Sequence, residues 1–406
     1  MKMKDVVAAI LMAVLCISST VSAATYGGGS GTALDPYQIR TPEQMNTIGA
    51  NPADWASCFK LMADIDMSVY TGTQYNIIGN WTTKFTGTFD GDNHKIRNLT
   101  YSTTTSVGWT GLFGFTNSAT LKNVGLENVN LYTRGPNVGG LVGVGQTSTI
   151  TNCYSTGTVT SSFEATSSVA GGLVANQSGG TITNCYSAVS VTACDTYFTT
   201  AGGLVGTQSS GTITNCTSTG VATSSASGVS YAGGLVGNQP GGTITNCCST
   251  GSIASYSAAN GNAYAGGLVA SQNPGASIST CYSTGHVTAT GGTIYKGGLL
   301  GYMSATATVA ACFWDNQTSG ITTSAGGSGV QGKTTAEMRT LSTFTDVGWD
   351  FTSTDSNPAV WQMPTLGYPY LAWKGCDTYP IGDLNQDCTV NLIDFTLFAS
   401  HWLEGI

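Results

Sequence analysis

One phrase recurs through the middle of this chain and restricts its fold more than any other feature. "AGGLVANQSGGTITNCYS" (170–187), "AGGLVGTQSSGTITNCTSTG" (201–220) and "AGGLVGNQPGGTITNCCSTG" (232–251) are successive copies. Aligned on the glycine pair, Leu141, Leu173, Leu204, Leu235, Leu268 and Leu299 fall in one column, at steps of 32, 31, 31, 33 and 31 residues. A second column holds Ile150, Ile182, Ile213, Ile244, Ile278 and Val309. A third holds Cys153, Cys185, Cys216, Cys247, Cys281 and Cys312. Degenerate copies lie upstream: "GLFG" with "TLKNVGL" (Leu112, Leu121, Asn123, Val124), and "GTFDG" with "KIRNLT" (Phe89, Ile96, Asn98, Leu99). That makes about eight units, and a period of this size marks a stacked array.

Each copy contains short β-prone runs separated by Gly, Ser, Asn and Pro, and nothing in 130–312 keeps helical spacing over a long stretch. Short strands with turn signals at fixed spacing predict an all-β fold. A propeller blade needs roughly 40–45 residues. The shorter unit fits one turn of a parallel β-solenoid, or β-helix, of about eight rungs, which at ~4.8 Å per rung is roughly 40 Å long. In such a rod each rung lies on a copy of itself, so each column becomes a file of like side chains. Leu, Ile and Cys are expected inside. Asn98, Asn123, Asn152, Asn184, Asn215 and Asn246 are expected as one ladder at a bend, with amides bonded rung to rung. The ladder lapses at Thr280 and Ala311 and should end there. The paired glycines are expected where the backbone needs a conformation that a Cβ forbids.

The cysteine file suggests a metal ladder, a redox site or a plain core. Zinc sites want converging ligands at short spacing, and no histidine accompanies these thiols. Small buried apolar residues are the simpler reading. Threonines flank the Ile column (Thr149/Thr151, Thr181/Thr183, Thr212/Thr214, Thr243/Thr245) and should point outward. The flat face they give is similar to those of ice-binding solenoids, or is simply a β-favouring surface.

Residues 1–23 read as a secretory signal: Lys2 and Lys4, an apolar run from Val6 to Cys16, then Val21-Ser22-Ala23. That run is too short to span a bilayer, so the expected product is exported, extracellular or surface-held, without a transmembrane segment. Charged residues make up 8% of the chain and the net charge is −8. Without a basic cluster, nucleic acid is excluded as an expected partner. Between 128 and 312 the only acids are Glu164 and Asp195, and the only Lys or Arg are Arg134 and Lys296. Glycoside hydrolysis normally needs two facing carboxylates. Glu164 and Asp195 sit about one rung apart in variable stretches, and Asp64/Asp66 and Asp90/Asp92 lie in turn-rich sequence.

Domain boundaries follow from these patterns: a cap and lead-in over 24–85, the repeats over 86–320, a C-terminal cap over 321–375 and a distinct segment over 376–406. Thr41-Pro42-Glu43-Gln44 has the order of a helix start, predicting a short helix to about Ala50. Thr334 and Glu337 repeat the capping-box spacing. After Gly375 the composition changes. Asp383, Asn385, Asp387, Thr389, Asn391 and Asp394 occupy positions 1, 3, 5, 7, 9 and 12 of a twelve-residue loop. That is the oxygen-ligand spacing of an EF-hand-type Ca2+ site, with Leu392, Phe395, Ala399 and Trp402 at helical spacing behind it. Two departures stand out: Cys388 where Gly is usual, and Asp394 where Glu is usual. Cys376 and Cys388 form a candidate disulfide.

"GGLVG" followed by "TITNCYSTG" resembles the GLUG repeat of bacterial exported proteins, and "GGSGTALDPYQIRTPEQMNTIG" with "FTGTFDGDNHKIRNLTY" is similar to the lead-in before those repeats. The resemblance covers roughly 28–315. It implies a β-solenoid and a secreted or surface role but no defined chemistry. Some metallopeptidases that attack immunoglobulin A carry such repeats. Their His-Glu-x-x-His motif is absent here, and His94, His286 and His401 are scattered. The C-terminal segment resembles one of the two repeats of a dockerin, which implies calcium and a cohesin-like receptor. The expected function is a non-catalytic repeat protein that binds glycan or protein along the solenoid. The competing reading is a polysaccharide-degrading β-helix lyase or hydrolase, or an accessory subunit of such a system.

Overall fold

The computed structural model describes residues 26–162, 167–354 and 358–374. They form a mostly β chain wound into a parallel β-solenoid of about eight turns with few helices. One turn shows the plan. Val229–Gly233 lies in a third sheet, Val236–Gln239 and Thr243–Thr245 in a first, and Cys248–Ser249 and Ile253–Ser257 in a second. Asn262–Gly266 then returns to the third sheet one rung on. Every rung-to-rung pairing is parallel and like meets like: Thr212 beside Thr243, Ile213 beside Ile244, Thr214 beside Thr245.

Strand alternation sorts the side chains. Ile150, Ile182, Ile213, Ile244 and Ile278 are buried while the flanking threonines face out. The Leu file from Leu141 to Leu299 is fully buried. Polar files also run inside the rod. Gln177, Gln208, Gln239 and Gln272 are buried, and the Gln208 amide donates to Gly211 O and Thr243 O at 3.2 Å. Buried Ser155 and Ser283 donate to the carbonyls of Gly172 (2.7 Å) and Gly298 (2.6 Å). These bonds meet carbonyls at the corners that the sheets leave over.

The glycine pairs are required for closeness, not for an unusual φ. Gly203 is absent from the left-handed positions of the backbone, yet a Cβ there would sit 2.1 Å from Gly234 O and 2.2 Å from Ser218 Oγ. The rungs therefore touch at this corner through bare backbone.

The sheets extend upstream of residue 86. Tyr37–Ile39 pairs with Cys58–Leu61, which pairs with Thr88–Asp90. Helix α1 (Pro42–Ala50) buries Met45 and Ile48 in the same core, with Thr41 accepting from Gln44 N at 3.3 Å. At the far end Val330–Lys333 pairs with Cys312–Asp315. The short helix Thr335–Met338 carries a complete capping box of Thr334 and Glu337. The chain beyond then leaves the rod's end. Met338, Phe344, Trp349, Trp361 and Leu371 pack on the outward side chains of Cys248, Tyr282 and Phe313. Of the stretch expected as a C-terminal cap, Ser324 and Val330–Lys333 lie against the last rung, and the chain after them forms an arm on the flank. Aromatic side chains this large need a broad apolar surface, and the Cys248–Tyr282–Phe313 file supplies one.

Candidate functional site

The first corner carries the asparagines. Asn123, Asn152, Asn184, Asn215 and Asn246 have φ of 52–56°, and Thr280 and Ala311 follow at 49° and 51°. Asn is among the few residues that enter this left-handed region readily, so the turn itself selects it. The amides also bond along the axis. Asn152 donates to Asn123 (3.1 Å), Asn215 to Asn184 (3.3 Å) and Asn246 to Asn215 (3.2 Å). Thr280 donates its hydroxyl to Asn246, taking the ladder one rung past the last Asn.

Asn98 belongs to a different corner, a correction to the single ladder expected from sequence. Phe89, not Ile96, pairs with Leu121, and Ile96 pairs with Leu126. Residues 91–94 fill a turn that needs only 123–124 one rung later, so aligning on Asn shifts the front unit by a strand. Asn98 (φ 58°) instead donates to Asp66 (2.9 Å) and accepts from Asn128 (φ 57°, 2.8 Å).

Cys153, Cys185, Cys216, Cys247, Cys281 and Cys312 lie one above another inside the rod, each free and buried. The Cys153 amide donates to the Cys185 thiol (3.4 Å), and Cys216 and Cys247 make the same bond to Cys247 and Cys281. Each thiol also donates to a backbone carbonyl, as Cys216 does to Thr214 O at 3.1 Å. Burial pushes Cys153, Cys185, Cys216, Cys247 and Cys281 well above the ordinary thiol range; the thiol of the following rung adds to the rise, and for the last four the thiol of the preceding rung works against it. Such thiols are poor nucleophiles and poor metal ligands. Among the described residues no three His, Cys, Asp or Glu side chains converge to hold a metal.

Charge is concentrated at the front. Arg97 bridges Glu127 (2.9 Å) and Asp64 (2.9 Å), and Lys95 reaches Glu127 at 2.7 Å. Lys60–Asp92 and Lys122–Asp90 pair at 3.0 Å each. The Lys95 backbone N–H holds the Asp64 carboxyl low, aided by His94 and Arg97; Lys95, Arg97 and Tyr154 do the same for Glu127. These acids, two of the sequence's candidate clusters, are therefore committed to turns and ion pairs. Asp195 accepts from Thr196, and Glu164 lies outside the described residues.

Three aromatic features are additions to what the sequence predicts. On the third sheet Tyr231, Tyr264 and Tyr295 stack with ring centroids 4.6 and 4.5 Å apart. Their signal was legible in "YAGG", "YAGG" and "YKGG", a recurrence before the glycine pair. Burial, then the charges of Tyr264 and Tyr302, push the Tyr231 phenol up to about 12. At the front, Trp81 and Trp109 stack at 5.5 Å beside an open groove of about 570 Å³. No period announces this pair, because both lie in degenerate units. A second groove of about 400 Å³ runs between the stacked Tyr154–Tyr186 pair and Trp373 of the arm. Trp373 donates to Asn215 O at 2.9 Å and Lys374 lies 4.9 Å from the Tyr186 ring centre.

The signal-like residues 1–23, the loop residues Asp383, Asn385, Asp387, Thr389, Asn391 and Asp394, and the Cys376–Cys388 pair lie outside the described residues. Among the described residues no helix is long and apolar enough to cross a membrane.

The GLUG motif model matches residues 135–160 and 199–224. The molecule is a parallel β-solenoid bearing that motif. A 142-residue stretch is 34% identical to halomucin of Haloquadratum walsbyi, covering 32% of this chain and 2% of that protein. The chain thus corresponds to a small fraction of halomucin. The solved structure of a candidate immunoglobulin A1 protease from Bacteroides ovatus superposes with a TM-score of 0.52 at 22% identity, covering 86% of this chain and 95% of that one. The likeness is one of fold.

Proposed function

We propose that this chain is an exported, non-catalytic solenoid that binds extracellular polysaccharide or protein along its flank. In this reading Asp383, Asn385, Asp387, Thr389, Asn391 and Asp394 bind one Ca2+, and the loaded segment attaches or recruits the rod through a cohesin-like receptor. The observation that carries the reading is the division of labour in the rod. Its repeated side chains are consumed by stacking, while exposed aromatic side chains (Trp81, Trp373) border open grooves on the outside. Export and a surface role draw support from the shared stretch with halomucin and from the signal-like start.

Capture from the producer's own envelope tests this. Full-length protein should retain envelope material in calcium, and removing residues 376–406 or adding a chelator should abolish retention through the C-terminal segment. Unchanged capture after deletion and chelation contradicts recruitment. Depolymerisation of captured polysaccharide by the purified chain contradicts the non-catalytic reading.

A further inference from the structure

The loop 79–84 bulges from the first sheet between two bridges, Ile78 with Phe113 and Phe85 with Thr116. Asn80 fixes it, its side-chain oxygen accepting from Thr82 N and Thr83 N at 2.9 Å each. Trp81 is carried at the tip, 63% exposed, which is far from the usual state of an indole. Trp109, on the third sheet, stacks on it with a 24° tilt, and Phe115 presents an edge to both rings at 5.7 and 5.6 Å. The groove is also lined by Ile77, Tyr101 and Val107 and by Asn80, Thr82 and Thr83. None of its lining residues is charged. The Lys84 ammonium lies over the Trp81 and Phe115 rings, 5.3 and 5.4 Å from their centres, and is not part of the lining.

We propose that this groove is a binding site for neutral hexopyranose units of an extracellular polysaccharide. The proposal rests on the flank-binding reading above and gives it a place and a ligand class. A pyranose ring has one face of C–H bonds and a perimeter of hydroxyls. It asks for a rigid, accessible aromatic plane with amide and hydroxyl groups at its edge, and for no charge. Trp81 and Trp109 supply the plane; Asn80, Thr82 and Thr83 supply donors and acceptors. The volume lies in the range of small-molecule sites, and the braced loop removes ordering cost on binding. The tyrosine column does not compete for this role. Its central ring, Tyr264, is stacked on both sides, by Tyr231 (4.6 Å) and Tyr295 (4.5 Å), and those two also meet Phe198 and Tyr302, whereas Trp81 stacks on Trp109 alone and stays 63% exposed.

Calorimetric titration of the full chain with gluco- and manno-oligosaccharides, and with alginate and polygalacturonate as acidic counterparts, reads the site directly. Binding of a neutral oligosaccharide is expected, weakened at least ~10-fold by Trp81→Ala, as for a truncated binding-site tryptophan. Trp81→Tyr should restore part of the loss, and Tyr295→Ala should leave the affinity unchanged. Trp81 is largely exposed, so its removal should not shift the melting temperature, which separates lost binding from lost fold. Preference for the acidic polymers overturns the neutral class. Neutral-sugar binding or envelope capture that is indifferent to Trp81→Ala and Trp109→Ala overturns the site while leaving flank binding standing. Trp81-dependent capture of a protein instead of a glycan overturns the ligand class.

Discussion

Between Cys58 and Glu127 the rungs are keyed to one another by unlike charges. Lys60 lies beside Asp90, Asp90 beside Lys122, and Arg97 beside Glu127. From Gly139 to Cys312 the same solenoid holds register almost without charge, by repetition of Leu, Ile, Cys, Asn and Gln. The front specifies each neighbour by complementarity, so its rungs can differ and carry loops such as 79–84. The middle specifies neighbours by identity, which tolerates little variation inside and frees only the turns. An exposed tryptophan groove sits where the repeat is least regular, as loops that depart from a scaffold generally carry the binding groups.

The contrast is broken most severely at the touching corner. Gly203→Val should abolish folding or cost more than ~3 kcal/mol, since the new atoms meet backbone that cannot yield. Gly145→Ala, whose Cβ would find its nearest atoms at 3.8 Å, should stay within ~0.5 kcal/mol. Denaturant unfolding followed by circular dichroism separates the two. Next in size is Ile213→Ala, expected to cost about 2–5 kcal/mol through an unfilled cavity in the Ile file. The equivalent change at outward Thr212 should be near neutral by the same measurement.

Alkaline pH sharpens the comparison from another side. The thiols of Cys153 to Cys281 titrate higher folded than unfolded. Their contribution is fully present below the unfolded thiol value, about 8.5, and is lost as pH climbs above it because only the unfolded chain then ionises. Melting temperature should fall steadily above that point, and the buried column thiols, unlike half-buried Cys58 and Cys194, should resist a thiol reagent that labels the unfolded chain. The front responds in the opposite direction. Asp64, Asp90 and Glu127 are held low, so their stabilisation is present near neutral pH and fades as pH drops through the carboxylate range. Glu127→Gln should cost less than about 1 kcal/mol, and added salt should shrink that difference. Hydrogen exchange resolved along the chain should place the loss in 58–127 and leave 205–245 protected.

Sequence made the middle legible because identical rungs turn a one-dimensional period into a three-dimensional address. Leu204, Ile213 and Cys216 needed only that period. The front was misaligned because residues 91–94 insert into a turn and Asn98 resembles the ladder residue of another corner. Gln208 and Ser155 gave no warning that they face inward, since polar residues on alternating strands read as surface until the corner carbonyls they serve are known. The flank contact of the arm is not legible in sequence, because Phe344, Trp349 and Trp361 reveal that they need covering but not which surface covers them. Trp81 and Trp109 are far apart in the repeat pattern and meet only through the bulged loop.

Spin labels attached through a genetically encoded ketone side chain at Thr120 paired with Thr243, Ser277 or Thr308 measure the stacking itself. Thr120 is followed in its file by Thr149, Thr181, Thr212, Thr243, Ser277 and Thr308. At ~4.8 Å per rung the three separations should be roughly 19, 24 and 29 Å, rising by one strand spacing at each step. Distances that fail to climb by equal increments, or that scatter within one pair, would contradict a rod in which each repeat lies directly on the last.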